Sequence, residues 1–182
     1  MRELKSGSVL RRQRGAGLLE VLVAILLLSF GMLAMAGLHA MSFKYGKMSQ
    51  FRGVATQLAY DLSDRMRANS GGAAQYVFMD PYNATPPAVA VPACADATRC
   101  TPAEIAAIDL AEMRNTLRLA LPGGGLFVTR DVGVADVVAL TVWVLWMDPE
   151  TADAGALGGV PCPDGVGAAN PAPQCLPLRV VL

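Results

Sequence analysis

From Gly71 to Leu182 the sequence contains no serine, no histidine and no lysine. The common nucleophile–base pairs therefore have no members to assemble in that stretch. The single histidine of the chain, His39, stands at the edge of an apolar run, where an interfacial residue is the plain reading. Basic side chains are scarce as well: residues 71–182 hold five arginines against eleven Asp and Glu, a net of −6. Nucleic acid is a poor partner for such a body, because neutralising phosphates takes clustered Lys and Arg. The acids left for acid–base chemistry, Asp131, Asp136, Asp148, Glu150 and Asp153, fall at predicted strand ends and turns, where solvated carboxylates are ordinary. Trp143 and Trp146 read as core or sheet-surface aromatics rather than ligand platforms. These absences point away from an enzyme, and no cofactor or metal is expected.

Proline is missing before Pro81, so nothing forces an early helix to break. Charge is missing from Val21 to Leu38, where Ser29 is the only polar side chain. With Ala16 to Leu19 in front, the run reaches the ~20 residues of a transmembrane helix. A secretory signal peptide has a shorter apolar core and a change of composition after it. Here the run passes instead into a helical pattern: Met48, Phe51, Ala55, Leu58, Leu62 and Met66 follow at steps of three and four. Lys44, Lys47, Arg52, Asp61, Asp64 and Arg65 fall mostly off that line. One helix is expected from about residue 17 to residue 69, ended by "NSGG" at 69–72, and roughly 80 Å long at 1.5 Å per residue. Ahead of it, residues 1–15 hold Arg2, Lys5, Arg11, Arg12 and Arg14 against Glu3, a net of +4. Positive flanks stay cytoplasmic, so the remainder faces the periplasm or exterior.

Beyond the helix, 73–100 reads as a loop rich in proline and small residues. "TPAE" at 101–104 opens a second helix, with Thr101 as cap, Pro102 at the first helical position and Glu104 closing a capping box. Ile105, Ile108, Leu110, Met113, Leu117 and Leu121 carry its apolar spacing, and "LPGGG" at 121–125 ends it. "LFVTRDV" (126–132) and "DVVALTVWVLWM" (136–147) read as a hairpin, and "LRVVL" as a final strand. The 182 residues suffice for one compact domain beside a membrane segment. The fold class is α+β: a long N-terminal helix, hydrophobic then amphipathic, packed on a C-terminal antiparallel sheet head with one additional short helix. Its segments are a cytoplasmic leader 1–15, a transmembrane or core half-helix 16–38, an amphipathic half 39–70 and an exported head 71–182.

All four cysteines, Cys94, Cys100, Cys162 and Cys175, lie in the exported part, and an even number there reads as a disulfide framework. Three pairings are possible; Cys94–Cys100 with Cys162–Cys175 closes two short loops and is preferred. A zinc site is the competing reading, but the spacings lack its tight pairs and no histidine is near.

Glu20 is the anomaly, a carboxylate near the start of a bilayer-length apolar run, where natural segments rarely carry one without a use. Cleavage between Gly15 and Ala16 would leave an α-amine four residues before it. Amine and carboxylate on adjacent chains then neutralise each other and set the register of a helical bundle, since a buried charge is tolerated when paired.

"RQRGAGLLEVLVAILLLSFGMLAM" resembles the N-terminus of type IV prepilins and of type II secretion pseudopilins. That resemblance implies cleavage after Gly15 by the prepilin peptidase, N-methylation of Ala16, an assembly role for Glu20 and a filament-core helix from Leu18 to Leu38. Ala16 departs from the phenylalanine common in major pilins, the leader has fifteen residues, and no proline interrupts the helix near residue 37, which favours a minor component. "SQFRGVATQLAYDLSDRMRANSGG" with "IDLAEMRNTLRLALPGGG" is similar to the PilV family of type IV pilus minor pilins, with Met113 standing where that family usually shows tryptophan. The resemblance implies inner-membrane insertion, then a place at the pilus tip among other minor pilins, the major pilin and a large tip adhesin, with roles in priming assembly, adhesion and twitching. A secretion pseudopilin and a single-pass membrane-anchored binding domain are the alternative readings.

Overall fold

The computed structural model describes residues 17–96, 98–131, 138–147, 161–164, 166 and 172–182. In chain order these form helix α1 (Leu18–Ala68), a 3-10 helix (Ser70–Tyr76), helix α2 (Pro102–Ala120) and strands β1 (Gly125–Arg130), β2 (Ala139–Trp146) and β3 (Gln174–Val181). The chain divides into two units, residues 1–43 and 44–182.

In the first unit every described side chain is solvent-facing, from Leu18 and Leu19 at the start to Phe43, which is 79% exposed. Leucine, methionine and alanine are strong helix formers, and the lack of proline leaves the ladder unbroken. Gly31 and Gly37 do not interrupt it.

The second unit is an α+β head. Ala55, Ala59, Leu62 and Met66 on α1 are buried, with Phe51 and Leu58 packed beside them, so the apolar line read in the sequence is the packing face. Arg52, Asp61 and Asp64 face solvent as the pattern requires. Against that face lie Ala106, Leu110, Met113 and Leu117 of α2 and the inner side of the sheet: Leu126, Val128, Leu140, Val142, Val144, Trp146 and Val180. Each of the larger side chains contributes about 1.5–3 kcal/mol by leaving water. The other side of the sheet has a smaller cluster of Phe127, Leu145, Val166 and Cys175. Trp146 is thus a core residue, while Trp143 is half-buried and its indole N–H donates to the Thr129 hydroxyl at 3.1 Å.

The sheet is antiparallel with order β1-β2-β3. Val128 exchanges both backbone bonds with Phe78, at 2.9 and 2.7 Å, on the side away from β2. Val128 and its β2 partner Val142 are therefore an unbonded pair, and the odd-numbered residues of β2 carry the bonds to β1. Asp131 N–H donating to Ala139 C=O at 2.9 Å fits that alternation. The even residues of β2 then bond to β3, and the backbone groups of Cys175, Pro177, Arg179 and Val181 turn to the outer edge of β3, which has no further strand among the described residues. Pro177 brings no N–H to that edge, the one place in a sheet where proline is tolerated.

Three local expectations are corrected. The chain does not turn into loop after "NSGG": it continues as the 3-10 helix Ser70–Tyr76. That segment is held by tertiary contact, with Asn69 Nδ2 donating to Pro102 C=O at 2.8 Å and Gly72 lying so close to that carbonyl that a Cβ would come within 2.6 Å of it. The last strand starts at Gln174 rather than 178, because the Pro-containing stretch sits at an edge. The hairpin strands are Gly125–Arg130 and Ala139–Trp146, with 132–137 outside the described residues.

Candidate assembly site

Helix α1 begins at Leu18, and the Gly17 carbonyl accepts from the N–H groups of Glu20 (2.9 Å) and Val21 (3.3 Å). Glu20 thus lies in the first turn, where a carboxylate is favoured by the partial positive charge of the free N–H groups. Its carboxylate has no hydrogen-bond or ion-pair partner among the described residues, and no other Asp, Glu, Lys or Arg follows until Lys44. Gly15 and Ala16, the expected processing junction, lie outside the described residues. His39 is exposed on the same helix, five residues before Lys44. Around Gly17, Gly31 and Gly37 an added Cβ would meet nothing within 4 Å. Each helical glycine costs about 1 kcal/mol relative to alanine, and no intrachain contact offsets it.

The head supplies a rigid platform. Arg65 Nη1 bridges Glu112 Oε2 (2.7 Å) and Asp109 Oδ1 (3.2 Å), while its Nε pairs with Asp61 at 3.3 Å. The Glu112 bond, then the Asp109 and Asp61 charges, hold the guanidinium proton more firmly than usual against the opposing effect of burial. The Tyr76 hydroxyl donates to Asp109 Oδ2 at 2.5 Å and accepts from Asn69 Nδ2 at 3.3 Å. Burial first, and that bond to Asp109 second, push the Tyr76 phenol up to about 12. Together these side chains tie α1, the 3-10 helix and α2 into one body. By spacing alone Arg65 falls merely off the apolar line; the acids at 109 and 112, one helical turn apart on α2, are the signal for a cross-helix partner.

Two disulfides brace the periphery, Cys94–Cys100 and Cys162–Cys175. The first loop is fastened to α2 by Glu104, whose carboxylate accepts from the N–H groups of Thr101 and Ala95, each at 2.7 Å, and from the Thr101 hydroxyl at 2.8 Å. The capping box is complete, and these bonds, the Thr101 N–H first, hold the Glu104 carboxyl below its usual range. Cys162–Cys175 anchors the segment carrying Val166 to the outer face of the sheet.

Asp131, expected to be a solvated carboxylate, is engaged: it pairs with Arg179 Nε at 2.8 Å and accepts from the Thr141 hydroxyl at 2.8 Å. Asp136, Asp148, Glu150 and Asp153 lie outside the described residues. Among the described residues no group of three His, Cys, Asp or Glu is placed to hold a metal ion.

A long apolar helix with one carboxylate in its first turn, followed by an α+β head with a three-stranded antiparallel sheet, is a pilin-like arrangement. Residues 10–36 match the family model of the prokaryotic N-terminal methylation motif, and residues 41–111 match the Tt1218-like model, described as type IV pilin Tt1218. The two matches support a type IV pilin, a structural rather than an enzymatic family, processed by a prepilin peptidase and assembled with other pilins. The apolar helix and the motif fit membrane anchoring followed by display on the pilus surface. Neither the curated proteins nor the solved structures yield a match to this chain.

Proposed function

We propose that this chain is a PilV-like minor pilin of a type IV pilus, without catalytic activity, that primes assembly and joins the complex at the pilus tip. The observation that carries the reading is the Glu20 carboxylate, without a partner among the described residues, in the first turn of a helix whose side chains from Leu18 to Phe43 are all exposed. Lipid accommodates the apolar surface but gives the carboxylate nothing in return. A neighbouring subunit trimmed between Gly15 and Ala16 supplies an N-terminal amine, methylated or not, that neutralises it. The pairing selects one axial register, as buried polar groups do in helix bundles. Before assembly the leader, residues 1–15, stays cytoplasmic and the head faces the periplasm, following the distribution of Lys and Arg. In the filament the net −6 head chooses among other minor pilins, the major pilin and a tip adhesin by complementary charge, which acts on encounter rate and partner choice. Adhesion and twitching follow from that place at the tip.

The test is Glu20→Gln in the full chain, with surface piliation and head stability measured side by side. Piliation is expected to fall while the urea midpoint of the head stays unchanged; unaltered piliation sinks the reading. N-terminal sequencing of purified protein is expected to begin at Ala16.

A further inference from the structure

Among the described residues, strand β1 has a partner on its outer edge at one point only. Phe78 pairs with Val128, and continuing that antiparallel register would set Asp80 opposite Leu126. The pairing is not made. At Pro81 the chain swings away from β1, and from there it is fixed elsewhere: the Tyr82 hydroxyl donates to Gly123 C=O at 2.8 Å, and Asn115 clasps the Val89 backbone with bonds of 2.9 and 2.7 Å. A cavity of about 260 Å³ opens between this strap and β1, walled by Phe78, Tyr82, Pro86, Pro87, Leu126 and Phe127.

Leu126 shares the outward backbone direction of Val128, two residues along the same strand. Its N–H and C=O therefore face the cavity edge, and neither has a hydrogen-bond partner among the described residues. An extended peptide offers an N–H and a C=O at the matching spacing, which is how strands are added to open sheet edges. The charged rim adds a second requirement. Arg114 lies over the Phe78 ring at 4.5 Å and reaches Asp80 only at 3.4 Å, with the Asp80 side chain 60% exposed. Such a surface pair is worth little, so an incoming carboxylate can take the place of Asp80 on a guanidinium already held by the ring.

We propose that this cavity takes a short extended segment of a partner pilin, which pairs with the Leu126 backbone, seats an apolar side chain against Tyr82 and the prolines, and presents a carboxylate to Arg114. The inference rests on the pilin reading above and adds the kind of partner surface the head receives.

The test uses the full chain produced in cells with their complete set of pilins, with Pro87 replaced by photo-reactive benzoylphenylalanine and Leu119, an exposed residue outside the cavity, as the comparison position. Correct folding is checked by the mobility shift of both disulfides on reduction. After illumination, the Pro87 position is expected to cross-link to a non-helical segment of another pilin, at least fivefold more than the Leu119 position. Adding Asp80→Asn should raise that yield, because Arg114 is released for the incoming acid. Cross-links to a helical segment, equal yields from both positions, or no product from correctly processed, piliated cells overturn the inference while leaving the pilin reading intact. A fall in yield with Asp80→Asn overturns the carboxylate assignment. A chain that is neither trimmed nor found in pili refutes the underlying reading instead.

Discussion

Arg65, near the C-terminal end of α1, places its Nη1 2.7 Å from Glu112 Oε2 on α2, joining the two helices through residues 47 apart in sequence. The same nitrogen also reaches Asp109, so one side chain neutralises two acids that would otherwise repel along α2. Replacing Arg65 with methionine keeps the stem and removes the fork. Allowing for the third of the side chain that stays in water, the loss is about 1–2 kcal/mol. Urea unfolding of the full chain in detergent should show it, with lysine at the same position recovering part because it retains charge without bidentate geometry.

Tyr76→Phe removes the donor to Asp109 from a side chain that is fully buried, and is expected to lower stability by about 1–2 kcal/mol. The wild type carries an alkaline signature that this variant reduces. Its phenol is raised from 10.0 to about 12 in the folded state, so the stabilisation is complete below pH 10, where both states are protonated. Between pH 10 and 12 the unfolded chain ionises first and stability falls as pH rises. Tyr82, likewise pushed to about 12 by burial, retains a share of that slope in the variant.

The two disulfides should differ in weight. Cys162–Cys175 closes a separation of 13 residues and Cys94–Cys100 one of 6, giving chain-entropy contributions of about 3 and about 2 kcal/mol. Paired Cys→Ser variants, measured by thermal unfolding without reductant, should rank in that order. The 162/175 variant should in addition expose the outer sheet face around Phe127 and Leu145, detected by binding of a hydrophobic dye.

Glycines at two places should respond in opposite ways. At Gly124 a Cβ would collide with the Leu117 carbonyl, in the turn where Gly123 takes φ of 56°, so Gly124→Ala should cost roughly 3 kcal/mol or more. At Gly37 a Cβ meets nothing within 4 Å, and Gly37→Ala should leave the isolated chain intact or raise its helicity by about 1 kcal/mol. Gly37→Leu should then reduce incorporation into pili without altering the head, since only a neighbouring helix is there to be displaced. Circular dichroism and surface piliation read the two effects separately.

What could be read in advance follows from the range of the forces involved. The extent of α1, the Thr101–Glu104 capping box and the β1–β2 hairpin rest on neighbours within a few residues, and side-chain spacing reports them. Glu20 was legible because a charge in an apolar run is visible without a structure. The 3-10 helix was not: Gly71 and Gly72 look like breakers, and what holds the segment is the Pro102 carbonyl, some thirty residues away. The start of β3 was hidden by Pro177, which marks a loop unless the strand is known to lie at an edge. Arg65 looked like a solvated charge because its partners on α2 become neighbours only in the packed head.

Pro177 has a consequence for the proposed filament, in which heads would be brought together at high local concentration. Exposed strand edges invite sheet-to-sheet fusion and amyloid-like growth. With one N–H deleted from the middle of the outer row of β3 and the Arg179 guanidinium close by, a second strand cannot zip along it without leaving a carbonyl unanswered. Under the filament assembly proposed above, subunits crowded in this way would be steered from aggregation toward the contacts their helices specify.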